Sequence, residues 1–242
     1  MNRAIRGVTG VLGEILITVG VVVLLYVSWQ LWVGDWIIGA QTDARGHELA
    51  QEWAAADDPV VASSEPAATP EPAEPAAVPE PGFADEFALL HVPRFGDGYA
   101  RTIAAGVAKG RILDQGMVGH YPDTQLPGEI GNFAIAAHRT TYGAPFARIA
   151  DLRIGDAIVV ETPDGWYTYR FRTLEYVRPD AVEVLLPVPQ APEAVAADRY
   201  ITLTSCSPRY SNAERIVAYG LFESFQPRAA GAPASLAPVG DA

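Results

Sequence analysis

A chain of 242 residues, 49% hydrophobic and 19% charged, is long enough for one sizeable core together with non-globular segments. Its net charge of −12 excludes a protein built to grip phosphate backbones, which requires a basic face, so nucleic acid is not an expected partner. A single cysteine, Cys206, excludes an internal disulfide.

The first element in chain order is a membrane-spanning helix. Ile15 to Gly34 carries no charge and is long enough to cross a hydrocarbon core of about 30 Å. Arg3 and Arg6 precede it, Asp35 follows it, and Trp29, Trp32 and Trp36 gather at its far end. Basic residues stay inside and tryptophans favour the interface, so residues 1–10 are expected in the cytoplasm and everything beyond Asp35 outside. A cleaved signal peptide would have a shorter apolar region, of about 7–15 residues, and a small-x-small cleavage site. Residues 11–34 therefore read as an uncleaved anchor of a single-pass cell-membrane protein. Glu14, at the cytoplasmic edge, is assigned no function.

Residues 35–82 read as an extracellular stalk and linker. From His47 onward the pattern suits a short helix, with Leu49 and Trp53 at i, i+4 and His47 on its surface. From Asp57 to Gly82 the chain is Ala, Pro and Glu, with Glu-Pro at Glu65, Glu71, Glu74 and Glu80. Such a stretch cannot build a core and should be extended, reaching roughly 80 Å in the polyproline II limit of about 3.1 Å per residue. A tether of that length would lift a domain off the membrane; a spacer of no particular length is the competing reading.

Residues 83–226 read as one all-β domain with short helices. Strand-like runs cover 87–92, 99–103, 132–138, 156–161, 166–176, 200–206 and 216–222, which gives seven or eight strands and suggests a closed barrel. Pro163-Asp164-Gly165 marks a hairpin turn, and Ala144 to Leu152 reads as a helix with Pro145 in its first turn. Residues 227–242, rich in Pro, Ala and Gly without periodicity, are expected to be a disordered tail.

Candidate chemistry centres on Cys206. Free cysteines are among the most buried residues, so a packing role competes with a reactive one. Under period-2 alternation, however, Thr202, Thr204 and Cys206 share one strand face and Ile201 and Leu203 the other, which sets the thiol among hydroxyls. The polar segment after it reads as a hairpin loop, so Arg215 should start the return strand almost opposite Cys206. Of the four histidines, His138 ends an apolar strand above the small residues Ala134 and Ala136, which makes it the candidate base. His91 reads as structural and His120 as a loop residue. An arginine beside the pair would favour thiolate and could donate to an oxyanion. No carboxylate cluster has ligand spacing, so neither metal nor cofactor is expected.

Thr202-Leu203-Thr204-Ser205-Cys206, followed nine positions later by Arg215 and preceded by His138, resembles the signature of sortases, and the resemblance covers essentially the whole chain. The run from Pro127 to Gly143, PGEIGNFAIAAHRTTYG, is similar to the class E sortases of actinobacteria. The resemblance implies an eight-stranded sortase barrel behind one transmembrane helix, and a cysteine transpeptidase of the thiol-protease type. Cys206 would attack the Thr–Gly carbonyl of a sorting-signal peptide, and a peptidoglycan-precursor amine (lipid II) would release the thioester. It also implies a preference for Leu-Ala-x-Thr-Gly over Leu-Pro-x-Thr-Gly, associated with Tyr121, and a place for Thr204 and Ser205 beside the peptide. Ser205 departs from the family pattern, which has Thr there, keeping the hydroxyl and losing a methyl. An L,D-transpeptidase would place the cysteine in a Gly-Cys motif near an upstream histidine, which does not fit. A membrane-tethered scaffold on the same barrel with an idle thiol is the remaining alternative.

Overall fold

In a computed structural model, residues 2–29, 33–56 and 73–237 are described. Helix α1 (Asn2–Ser28) contains an apolar span, Gly10–Ser28, none of which is buried by the rest of the chain. Helix α2 (Gly34–Ala56) follows closely in sequence.

Eight strands close into a barrel: β1 (Glu86–His91), β2 (Arg101–Ala105), β3 (Val118–His120), β4 (Gly131–Ala136), β5 (Ala157–Thr162), β6 (Gly165–Val177), β7 (Arg199–Ser207) and β8 (Glu214–Pro227). Their order around the barrel is β1-β2-β3-β4-β7-β8-β6-β5. The β5–β6 hairpin turns at Pro163-Asp164, as its turn residues predict. The β2–β3 and β4–β7 pairs are parallel. Ile103, Phe133, Ile135, Ile158, Val160, Tyr167, Tyr169, Ile201 and Leu203 fill the interior, the inward half of each alternating strand.

Four features differ from the sequence expectation. His120 is not a loop residue: it closes β3, nearly fully buried, and burial holds its pKa below the ordinary histidine value. A three-residue strand with glycine at its centre carries no period to detect. The expected helix at 144–152 is a series of turns ending in a 3₁₀ turn at Ile149–Asp151, because Ala144 adopts a left-handed conformation (φ 41°) and Phe146 and Ile149 turn into the core.

The stalk is the third difference. Helix α2 lies along the barrel rather than standing free of it: Asp43 meets the buried Arg101 guanidinium and accepts the Ala100 N–H, and His47 donates to the Gly98 carbonyl. Gly46 lets the two backbones touch, since a Cβ there would come within 2.6 Å of the Ala100 oxygen. Residues 57–72, most of the expected linker, lie outside the described residues. Residues 73–82 run along the barrel, where Ala73, Ala76 and Val78 pack on the core and Tyr167 donates to the Ala76 carbonyl.

The C-terminal segment is the fourth. Arg228 binds the buried Glu161 and stacks over Trp166, and Leu236 packs on the small cluster around Trp166. The chain is thus packed beyond residue 227; residues 238–242 lie outside the described residues.

Candidate active site

The parallel register of β4 and β7 builds the site. Ala136 pairs with Thr204 and the Ala137 N–H donates to the Thr204 carbonyl, so continuing two places sets His138 beside Cys206. Across the β7–β8 hairpin, Cys206 pairs with Arg215, as the nine-residue spacing predicts. His138 just past β4, Cys206 on β7 and Arg215 on β8 therefore lie at one end of the barrel. His138, Arg139, Thr140, Thr141, Cys206, Tyr210, Ser211 and Asn212 line an open cleft there of about 370 Å³. Cys206 is half-buried, accessible to a substrate and not part of the core.

Each side chain has definite partners. The His138 Nε2 lies 2.8 Å from Asp114 Oδ1, and its ring stacks on Tyr142 at 5.1 Å. A carboxylate only accepts, so Nε2 carries the proton and Nδ1 is the nitrogen left for exchange. The Arg215 Nη1 donates to the carbonyls of Asn212 and Glu214, which fixes the hairpin and leaves Nη2 and Nε free of such bonds. The His138 carbonyl accepts the Phe146 N–H, folding the following loop back over the imidazole.

Tyr121 and Thr204 come together, their hydroxyl oxygens 3.0 Å apart, on the outer face two residues before Cys206. Ser205 does not join them. It shares the inward face with Leu203, is almost fully buried, and donates its hydroxyl to the Ala137 carbonyl at 2.7 Å. It braces the strand end that carries His138. Asn132, which sequence reasoning passed over, is fully buried: it accepts from Thr202 and donates to the Val184 carbonyl. That chain of bonds ties the 178–198 loop to the outer face of β4 and β7, next to Thr204.

Asp114 was also missed. It lies in an aperiodic segment 24 residues before His138, and only tertiary folding brings it there. Among the described residues, no group of three or more His, Cys, Asp or Glu could hold a metal.

Residues 90–223 match the family model of the sortase domain. The chain is 38% identical over 231 residues to sortase SrtE1 of Streptomyces coelicolor, covering 93% of this chain and 60% of that protein, so it spans about three fifths of that relative. It is 35% identical to sortase SrtE2 of the same organism, over 90% of this chain and 83% of that one. The crystal structure of sortase E1 from Streptomyces coelicolor with a tripeptide in the active site superposes with a TM-score of 0.60 at 38% identity, covering 64% of this chain and 98% of that one.

Proposed function

Because the chain belongs to the sortase family, among class E members, we propose that it is a membrane-anchored cysteine transpeptidase that joins secreted surface proteins to a cell-wall amine. The observation that supports this reading is the β4–β7–β8 register, which puts His138, Cys206 and Arg215 at the same end of the barrel, His138 and Cys206 lining one cleft.

In the proposed reaction His138 Nδ1 takes the Cys206 thiol proton, the resulting thiolate attacks the Thr–Gly carbonyl carbon of a sorting signal, and Arg215 donates hydrogen bonds to the oxyanion. The C–N bond breaks as His138 Nδ1 gives its proton to the departing glycine amine, leaving a thioester on Cys206. An amine of a peptidoglycan precursor, lipid II, then loses a proton to His138 and attacks the thioester, so the new amide forms and the thiolate is restored. Asp114 positions the imidazole by accepting from Nε2 throughout. The Tyr121–Thr204 pair faces the residue two places before the scissile Thr and favours Ala over Pro there. Ser205 acts through the backbone of Ala137, not by touching peptide.

Helix α1 is the proposed anchor: its 10–28 span is apolar and exposed, and Arg3 and Arg6 ahead of it support a cytoplasmic N-terminus. The test is cleavage of Leu-Ala-x-Thr-Gly and Leu-Pro-x-Thr-Gly peptides in the presence of a small amine. Cleavage between Thr and Gly with amine transfer, faster on the Ala peptide and abolished by Cys206→Ala, is expected. Cleavage that survives Cys206→Ala overturns the mechanism, and faster cleavage of the Pro peptide removes the role given to Tyr121.

A further inference from the structure

We propose that the cleft holding Cys206 and His138 opens against the membrane surface, so that the acceptor amine reaches it as a lipid-linked group moving in the bilayer plane. The inference rests on the reading of α1 as the anchor and goes beyond it to the domain's orientation.

Its basis is a short covalent distance. The apolar span ends at Ser28, and seven residues later Asp35 Oδ2 accepts the N–H of Thr141, in the loop that follows His138. Seven residues reach at most about 25 Å fully extended and about 10 Å as a helix. Whatever path residues 29–33 take, the rim of the cleft stays within that radius of the end of the span. A second contact locks the same loop: a Cβ on Gly143 would come within 3.0 Å of the Gly39 nitrogen.

Helix α2 then gives the domain a near end and a far end. From Asp35 it runs past Ala100 and Gly98 to Trp53, whose ring lies 6.0 Å from the Arg228 guanidinium, about 27 Å further along the axis at 1.5 Å per residue. Trp53 and the β5–β6 turn at Asp164 border one pocket at that far end.

The near end carries the side chains that suit a headgroup layer. Trp36 is 75% exposed, Tyr210 68% and Tyr142 41%, and Trp29 lies exposed at the end of the span. Tryptophan and tyrosine, apolar in body and polar at one edge, concentrate at such interfaces. Arg139 also lines the cleft, which puts a cation at that end of the domain.

The experiment uses the full chain in nanodiscs of mixed zwitterionic and anionic phospholipid. With Cys206→Ala removing the sole cysteine, a single cysteine is introduced as Tyr210→Cys, Asp164→Cys or Val22→Cys and labelled with a small fluorophore. Lipids carrying nitroxide on the headgroup or deep in the acyl chain serve as quenchers. The expected result is loss of most emission at position 22 with acyl nitroxide, loss of most emission at 210 with headgroup nitroxide, and no loss at 164. Quenching at 22 without quenching at 210, or equal quenching at 210 and 164, overturns the orientation while keeping the anchor. Absence of quenching at 22 removes the anchor reading, and the orientation with it.

Discussion

A carboxylate bonded to the outer nitrogen of an imidazole holds the ring in one orientation and chooses which nitrogen stays free. Asp114 does both for His138 from a distance of 2.8 Å. Asp114→Ala is expected to lower kcat about tenfold, equivalent to ~1.4 kcal/mol of barrier, with little change in KM and an unchanged thermal midpoint. Asp114→Glu should recover part of the loss; a fall in the thermal midpoint matching the fall in kcat would mark the contact as structural. The positions of the side chains proposed to react were legible in sequence because each depends on local pattern: alternation placed Cys206 on a hydroxyl-bearing face, a hairpin placed Arg215 opposite it, and a strand end placed His138. Tyr121 could be found only through family resemblance. Asp114 was hidden because nothing in its spacing foretells that the turn before β3 folds onto the end of β4. Ser205, expected beside the peptide, is buried on the inward face, since adjacent residues of a strand face opposite sides.

At the scale of elements, α2 is the part composition misled about most. Its charged, weakly patterned surface reads as a stalk, yet many of its contacts are made by polar residues and glycines, Asp35, Gly39, Asp43, Gly46 and His47 among them, which leave no apolar stripe. Gly46 is the residue to test, because a larger side chain there meets the Ala100 backbone. Gly46→Leu should cost about 1–3 kcal/mol as an overpacked contact. Hydrogen exchange should then show protection lost across 34–56 while the barrel strands keep theirs; retained protection in α2 would mean the helix is held by its other contacts alone. Seven strands were legible from β-branched runs and turn residues. The eighth, β3, and the turns at 144–152 were not, because pairing with neighbours and a left-handed Ala144 decided them.

For the whole molecule, the titrating groups that matter to stability lie away from the cleft. Burial works to raise Asp156, but bonds from the Arg94 guanidinium and the Arg153 N–H outweigh it and hold its pKa below the ordinary range. Glu161 is likewise held low against its burial by His91 and Arg228. Both contributions are complete above the unfolded carboxylate range, about 4, and are lost as pH falls through the depressed folded values. His120, lowered by burial, prefers to stay neutral, so its contribution is present above about 6.5 and lost on acidification below that. The thermal midpoint should therefore fall shallowly below about pH 6.5 and steeply below about pH 4; a midpoint that rises on acidification would contradict the assignment. The parallel β4–β7 seam bears on biogenesis as well. A nascent chain can close the β7–β8 hairpin locally, uniting Cys206 with Arg215, but His138 joins them only when a strand made long before is drawn alongside β7. Such non-local pairing forms late. Until the barrel shuts, the β7–β8 hairpin holds its thiol and guanidinium with no imidazole alongside.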